Sequence, residues 1–365
     1  MDSLTQATLG AAVGEAVLGR KVGGKAALWG AALGTLPDLD VLANPFVSEM
    51  EALAIHRGIT HSIVFAVVLA PVVGLLASRL HRKPATEGLL GYRFKRTSEA
   101  SWGAWTLLAF LALITHPLLD CFTVYGTQVF QPFSNYPVAF SSIFIIDPLY
   151  TVPLFAGVVA ALFMSRTPHQ VRGRLSGRRR WANGLGLGLS TAYLLATLGI
   201  KAQVHSTFEA SLAAQDVRYE ELLTAPMPLN SLLWMGLAHS GDTVRVGLYS
   251  VLDDDNRIAF EPIATRRDLL EPYENQTPVE RLLWFSRGYY QAEARGDTLL
   301  FHDLRFGRTD AWLTDSGDYL FTFRLRRSPS DSTRLTGFEQ QGPSLDLGDG
   351  FLERYTARVM GSVSP

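Results

Sequence analysis

Three long apolar stretches constrain the first half of this 365-residue chain. They cover about residues 59–80, 101–122 and 143–164, and each could cross a bilayer as a helix, which takes roughly 20 residues. A fourth run, 182–200, is rich in Gly and Leu. Because a bilayer offers no water to hydrogen-bond the backbone, such segments must be helical. We therefore predict an α-helical polytopic membrane domain.

Two shorter apolar runs precede these stretches. They cover about residues 7–19 and 26–36, and the basic turn 20–25 separates them. Each run is short for a full span, so we predict a tight helical hairpin, either spanning or re-entrant. The hairpin and the longer runs give about six helical segments. The N-terminus opens with Asp2 and lacks a basic segment, so no cleavable signal peptide is expected.

The charge of the chain changes sign near residue 200. Residues 1–200 carry +6, from 16 Lys/Arg and 10 Asp/Glu, whereas residues 201–365 carry −7, from 17 and 24. In the second half we expect a helix over 206–223, followed by short alternating runs that are typical of strands. These runs lie at 243–252, 281–291, 298–306 and 319–326. We therefore predict a membrane domain, 1–200, followed by a small soluble α+β domain, 201–365, with a mixed sheet.

Composition excludes several classes of site. Cys121 is the single cysteine, so neither an intramolecular disulfide nor a Cys-rich zinc module can form. The basic residues of the first half lie in short clusters between apolar runs, which is typical of membrane topology rather than of nucleic-acid binding. We expect no nucleic-acid partner.

The basic clusters also predict the orientation of the helices. Lys and Arg concentrate at 20–25, 79–96 and 166–180, and the positive-inside rule places these loops in the cytoplasm. The opposite ends of the helices then face outward. The outer segments are 1–5, 37–58, 117–142 and everything after residue 200. This arrangement makes the C-terminal domain extracytoplasmic, where it could bind a protein partner.

Acids and histidines of the membrane domain gather at its predicted outer end. Ionisable groups at membrane depth are costly and indicate a functional site by default. Several segments that bring His and Asp to one layer provide what a metal site requires. The residues concerned are Asp2, Asp38, Asp40, His56, His61, His116, Asp120 and Asp147.

Spacing narrows the ligand set. His116 and Asp120 are four residues apart in a helical stretch and share one face, although Pro117 can distort that turn. His56 and His61 are about 140° apart on a helix, so we place His56 in the preceding loop. Asp38 and Asp40 follow a proline in an extended or turn segment. One of them could be a ligand and the other could orient a histidine.

Each of these residues also has an ordinary structural interpretation. Asp147 before Pro148 is typical of a helix N-cap, and Asp2 with Gln6 resembles a capping box. A lone histidine in an apolar helix is more often a hydrogen-bonded core residue. Arg57 could neutralise a phosphate or could be an interfacial arginine that extends to water. Only the convergence of several ligand types favours a metal.

Five motifs, taken in order, resemble the YdjM/YbcI-type family of membrane-bound proteins over roughly residues 1–165. The motifs are Met1-Asp2-Ser3-Leu4-Thr5-Gln6, Leu36-Pro37-Asp38-Leu39-Asp40, His56-Arg57-Gly58-Ile59-Thr60-His61-Ser62, Thr115-His116-Pro117-Leu118-Leu119-Asp120 and Tyr125-Gly126-Thr127. The resemblance implies a metal-dependent hydrolase of the bacterial inner membrane. The chain has a fainter similarity to zinc-dependent phospholipase C and related helical nucleases, whose metal clusters use the chain N-terminus, a role that would suit Asp2.

We therefore expect a metal-dependent hydrolase that cleaves a lipid or lipid-linked phosphoester, with an amide or ester bond as a less favoured target. Mixed imidazole and carboxylate ligation suits zinc best, and also manganese or iron, as one or two ions. The expected core ligands are His61, His116 and Asp120; Asp38, Asp40, His56 and Asp2 complete the metal sites, Asp40 or Asp38 is the general base, and Arg57 binds the phosphate.

Two alternatives remain open at this point. An ion or solute transporter could line its pathway with the same acids and histidines. A non-catalytic membrane anchor could use the metal only to hold its helices together, while the outer module binds a partner.

Overall fold

The first two helices form an antiparallel hairpin with very close backbones. They are α1 (Ser3–Val22) and α2 (Lys25–Thr35). A Cβ atom added at Gly30 would lie 2.0 Å from the carbonyl oxygen of Gly10, and one added at Gly14 would lie 2.2 Å from that of Ala26. Glycine is therefore required where the helices cross, as in other helix pairs packed through small residues. The structure contains the predicted hairpin, but α1, at 20 residues, is longer than the predicted run.

Five more α-helices of the described residues precede the first strand. They are α3 (Glu49–Ile55), α4 (Ile63–Leu80), α5 (Trp102–Asp120), α6 (Pro148–Ser165) and α7 (Arg172–Ala214). Among the described helices, three are long and apolar enough to cross a membrane: Ile63–Leu80, Trp102–Asp120 and Gly177–Ala214. The predicted span 143–164 is shorter than expected, because its helix begins only at Pro148. The predicted segment 182–200 is the middle of the much longer α7.

A buried core joins the hairpin to α4 and α5. Its largest fully buried side chain is Trp105, which contacts Trp29 of α2 edge-on at 5.9 Å between ring centroids. Small residues bring α4 and α5 together, since a Cβ atom at Gly74 would lie 2.3 Å from Thr106 Oγ1. This packing fixes the end of α5, where two of the candidate site residues lie.

The computed structural model describes residues 1–81, 100–165, 172–314, 317–331, 333–342 and 350–362. Its chain divides into two compact units. One contains Met1–Ala43, Ile55–Phe140 and Ile145–Leu195, and the other contains Asn44–Ala54, Ser141–Phe144 and Ala196–Pro365. Much of the basic loops 79–96 and 166–180 lies outside the described residues. The predicted orientation of the helices therefore stays a prediction.

The C-terminal domain is built on two antiparallel sheets. The first has the order β1-β2-β3-β4 and the second the order β5-β6-β7-β8. The strands are β1 (Glu221–Pro226), β2 (Leu233–Ser240), β3 (Thr243–Ser250), β4 (Glu261–Ala264), β5 (Tyr290–Arg295), β6 (Thr298–Asp303), β7 (Thr322–Arg327) and β8 (Leu335–Gln341). Gly296, with φ of 60°, lies in the predicted β5–β6 hairpin turn. The prediction of a single mixed sheet was wrong, because every described strand pair is antiparallel.

Two segments differ from their predicted secondary structure. The predicted helix 206–223 is the end of α7, which stops at Ala214, and its last residues belong to β1. The predicted strand 281–291 begins inside a helix, α8 (Thr277–Ser286). Val279, Leu282 and Phe285 are buried at helical spacing, so the apolar period here is that of a helix rather than of a strand. A last helix, α9 (Phe351–Val359), follows β8.

Candidate metal centre

Three short segments bring four potential ligands together. Asp38 lies in the 3-10 segment Leu36–Phe46, His61 ends the 3-10 turn Ile59–His61, and His116 and Asp120 lie on the last turns of α5. One ligand atom from each of the four lies within 4.8 Å of every other. The histidines and Asp120 are buried, and 19% of the Asp38 side chain is exposed.

The donor atoms of this group are nearly evenly spaced. The Nε2 atoms of His61 and His116 are 3.0 Å apart, and each lies 3.3 Å from Asp38 Oδ1. Asp120 Oδ2 lies 3.5 Å from His61 Nε2 and 3.4 Å from His116 Nε2. Ligands around a tetrahedral ion with bonds of about 2.0–2.1 Å are separated by about 3.3 Å. The cluster could therefore hold a metal ion.

The glycine-rich hairpin orients His116. His116 Nδ1 lies 2.6 Å from the carbonyl oxygen of Gly34, near the end of α2. A carbonyl oxygen only accepts hydrogen bonds, so Nδ1 is the donor and the lone pair of the neutral ring lies on Nε2. The lone pair thus faces the centre of the group. A backbone carbonyl that holds the far nitrogen of a ligand histidine is common at metal sites.

The two oxygens of Asp120 have different surroundings. Oδ1 accepts a hydrogen bond from Gln6 Nε2 at 2.9 Å and another from the Met1 amino group, and Arg57 Nη2 lies 3.5 Å away. Oδ2 is buried and has no hydrogen-bond partner within the described part of the chain. A buried carboxylate oxygen without a donor is unusual and costly. Because Oδ2 faces both histidines, a bound cation would compensate for it.

Asp40 and His56 lie next to the four grouped residues, on the Nδ1 side of His61. Asp40 Oδ2 is 3.6 Å from His61 Nδ1 and accepts the backbone N–H of Arg57 at 3.1 Å. Asp40 Oδ1 lies 3.1 Å from His56 Nδ1. Burial alone would raise the pKa of Asp40, but its hydrogen bonds, first that with His56, hold this pKa below the usual range. Asp40 is thus a buried carboxylate that contacts the far side of His61.

Arg57 places a buried cation beside Asp120. Its backbone has a positive φ of 56°, which is uncommon for a residue other than glycine. Its Nη1 donates to Thr123 Oγ1 at 3.0 Å, and the guanidinium carbon lies 4.7 Å from the ring centroid of Tyr125. The Nε atom is buried and has no hydrogen-bond partner among the described residues. Arg57 therefore holds a positive charge next to Asp120, with Nη2 3.5 Å from Oδ1.

Asp2 and Asp147 begin helices and are not among the four grouped residues. Asp2 caps α1 by accepting the backbone N–H of Thr5 at 3.0 Å. Asp147 Oδ1 accepts the backbone N–H groups of Leu149 and Tyr150 at the start of α6. The structure thus places both residues as the capping interpretation expects. Gln6 does not complete a capping box, because its side chain donates to Asp120 instead.

Sequence reasoning missed several contributors to the centre. Gln6 and the carbonyl group of Gly34 contact ligands directly, and Thr123 and Tyr125 hold Arg57. One signal was available for the hairpin, because Gly10 and Gly14 on α1, like Gly30 and Gly34 on α2, follow small-xxx-small spacing. A backbone carbonyl carries no such signal, since every residue has one.

Comparison with known proteins identifies the family of the N-terminal part. The family model for the YdjM inner membrane protein matches residues 1–204, which include all four grouped residues. No curated protein and no solved structure in the comparison matches the chain significantly. These comparisons give no support to the likeness to zinc-dependent phospholipase C. The family model covers more than half of the chain, and the protein therefore belongs to the YdjM inner membrane protein family.

Proposed function

We propose that this protein is a membrane-bound, metal-dependent hydrolase that cleaves a lipid or lipid-linked phosphoester. One observation carries the proposal. The buried Oδ2 atom of Asp120 has no hydrogen-bond partner among the described residues and faces the Nε2 atoms of both His61 and His116 at 3.4–3.5 Å. A cation between these three atoms would compensate for the missing hydrogen-bond partner of Asp120 Oδ2.

His61, His116 and Asp120 would hold the ion. Two imidazoles and one carboxylate form a ligand set that zinc favours, and manganese or iron also accepts it. Three protein ligands are typical of catalytic zinc sites, which keep one position open. A bound ion would supply Lewis acidity toward a phosphoryl oxygen and would make a water molecule more acidic.

Asp38 is the residue that we assign as proton acceptor. Its side chain is the most exposed of the four, at 19%, so water and substrate reach it from that side. Its Oδ1 atom lies 3.3 Å from the Nε2 atoms of both histidines, so the carboxylate would be close to a water molecule on the ion. A carboxylate at this position accepts the proton of the attacking water and returns it to the leaving group.

Arg57 would bind the phosphate. Its guanidinium group is buried beside Asp120, and Thr123 and Tyr125 hold it in place. Its positive charge beside the centre would stabilise the charge of a phosphoryl group, as arginine does in charge-assisted hydrogen bonds. Because the centre lies at the end of a candidate membrane helix, α5, a substrate that belongs to the membrane is favoured.

The first test is the metal content of the full-length protein purified in detergent, measured by elemental mass spectrometry. We expect close to one zinc, manganese or iron ion per chain, and loss of that ion in the double variant His61→Ala/His116→Ala. His239→Ala, which changes a histidine of β2, is the matched control and should keep the metal. Equal metal content in the double variant and the wild type would refute the assignment.

The second test is hydrolysis of phospholipids and lipid phosphates by the metal-loaded protein in mixed micelles. Release of phosphate or of a phosphorylated headgroup that is lost in the double variant supports the hydrolase. Metal-dependent ion flux in proteoliposomes without any hydrolysis would favour the transporter. Bound metal that only raises thermal stability, without hydrolysis or flux, would favour the anchor. Either of these last two results would overturn the proposal.

A further inference from the structure

The loop that follows α5 has an unusual composition. Residues 121–140, which we call the aromatic loop, contain no Asp, Glu, Lys, Arg or His, and the uncharged run continues to residue 146. In the whole chain 18% of residues are charged, so a water-facing loop of this length would be expected to carry several charges. Six of its twenty residues are aromatic. This composition is that of a segment in contact with an apolar environment.

Four aromatic side chains of the loop are exposed. Phe133 is 86% exposed and Tyr136 is 64% exposed, while Phe130 and Phe140 are each about half exposed, at 49% and 47%. A soluble surface rarely presents so many large apolar side chains together, and such a patch marks a protein or membrane contact. Tyr is enriched at the membrane–water interface, and Phe is common on the apolar face of segments that lie in that interface.

The backbone of the aromatic loop is suited to lipid. Thr127 and Val138 exchange both of their backbone hydrogen bonds at 3.0 Å, and the N–H of Phe133 donates to the carbonyl group of Phe130 at 3.0 Å. The N–H of Phe140 donates to the carbonyl group of Cys121 at 2.5 Å. Irregular backbone enters a low-dielectric environment only when the protein satisfies its polar groups. These bonds meet that condition for much of the loop.

The apolar surface is continuous with the candidate membrane helices. Leu118, on the last turn of α5, is 49% exposed, directly before the loop. The N–H of Ile63, the first residue of α4, donates to the carbonyl group of Val129, which ties the loop to a second candidate span. A lipid leaflet that covers α4 and α5 would therefore extend over the loop. This continuity favours lipid over a separate protein partner.

We propose that the aromatic loop inserts into the bilayer interface, at the boundary of headgroups and acyl chains, at the end of the helices that carries the metal centre. The loop also contacts the centre, because the N–H of Gln128 donates to the carbonyl group of Arg57 and the Tyr125 ring lies against the Arg57 guanidinium. Lipid headgroups held at the loop lie next to Arg57. The insertion concerns membrane position alone and holds whether or not the centre hydrolyses its substrate.

Site-directed spin labelling of the full-length protein in phosphatidylethanolamine/phosphatidylglycerol proteoliposomes tests this proposal. A label on Phe133→Cys is compared with one on Val68→Cys, an exposed residue of α4, and with one on Asp255→Cys, an exposed residue of the C-terminal domain. Cys121 is buried, so the unlabelled parent gives the background. Accessibility to molecular oxygen reports lipid, and accessibility to a water-soluble nickel chelate reports water.

We expect the label at position 133 to lose accessibility to the nickel chelate while it keeps accessibility to oxygen, as at position 68. Nickel accessibility equal to that at position 255 would overturn the proposal. Protection from both reagents that persists in detergent would mean that protein covers the loop, which would overturn it as well. An elution profile in detergent identical to that of the parent confirms that each labelled variant is folded. Because no readout uses activity, failure here is distinct from failure of the hydrolase proposal.

Discussion

The two parts of the chain bury carboxylates in opposite ways. Asp303 in the C-terminal domain is fully buried, and Arg305 covers both of its oxygens, with Nη2 at 2.6 Å from Oδ2 and Nε at 3.0 Å from Oδ1. Asp120 in the N-terminal part is equally buried, but its Oδ2 atom has no hydrogen-bond partner in the described ranges. Both oxygens of Asp303 thus have hydrogen-bond donors without any ligand, whereas Asp120 Oδ2 has no hydrogen-bond partner among the described residues.

This contrast shows that burial alone does not identify a functional acid. Asp310 is also nearly buried, yet it accepts hydrogen bonds from Arg308 at 3.0 Å, from the Thr314 hydroxyl at 2.6 Å and from backbone N–H groups. Buried polar atoms are nearly always paired in native proteins. The number of donors that reach each oxygen therefore separates a structural carboxylate from a candidate ligand.

The largest effect is expected for the acid that we assign as proton acceptor. Asp38→Asn should lower the rate of hydrolysis by about 10²- to 10⁴-fold, because the amide no longer accepts the proton of water. Metal content should remain close to that of the wild type if, as proposed, His61, His116 and Asp120 hold the ion; a parallel loss of metal would instead assign Asp38 as a fourth ligand. Steady-state hydrolysis and elemental analysis of the same sample measure the two quantities. Asp2→Asn is the control and should retain both, since Asn is as good a helix cap as Asp.

The next effect breaks the buried ion pair between Asp303 and Arg305. Asp303→Ala leaves the Arg305 guanidinium buried without its partner and should lower the free energy of unfolding by about 3–5 kcal/mol. Asp268→Ala is the matched control, because Arg266 and Asp268 have the same sequence separation but are exposed, and it should change the free energy of unfolding far less. Denaturation in detergent, followed by circular dichroism, measures both. Equal losses would contradict the role of burial.

A smaller effect concerns the acid behind His61. Asp40→Asn should weaken metal binding by about 10- to 100-fold, because residues that orient a ligand histidine tune its affinity. Titration of the metal-free protein with zinc measures the dissociation constant. Asp147→Asn changes a buried helix-capping aspartate and should leave this constant unchanged. If the two variants bind zinc equally well, Asp40 does not act on the centre.

The smallest effect is a change in how the stability of the C-terminal domain depends on pH. Burial lowers the pKa of His302 from 6.5 to about 4, although Glu293 lies 3.7 Å away. The unfolded chain therefore binds a proton near pH 6.5 that the folded chain accepts only near pH 4, and stability is lost as the pH falls between these values. His302→Gln should make the midpoint of thermal unfolding less dependent on pH over this window. A profile parallel to that of the wild type would show that other groups dominate.

Local patterns account for what could be predicted from the sequence. The apolar stretches predicted candidate spans because a helix needs about 20 apolar residues to cross a bilayer. His116 and Asp120 were paired correctly because i, i+4 residues share a helix face. The helical turn of 281–286 was missed because short apolar runs fit a helix or a strand equally well. The sheet type was missed because strand pairing joins segments distant in sequence.

The sequence by itself determined the family, the apolar helices and the types of ligand available, since these follow from residue identity and local spacing. The tertiary structure alone decided which residues meet. The hairpin brings the Gly34 carbonyl group into contact with His116, which lies 82 residues away in sequence. It also brings Gln6 to the end of α5, 110 or more residues away in sequence. The tertiary structure also decided that Asp120 Oδ2 has no hydrogen-bond partner within the described residues, whereas both oxygens of Asp303 have one. Whether a carboxylate oxygen has a hydrogen-bond partner depends on distances across the fold, and no local pattern encodes those distances.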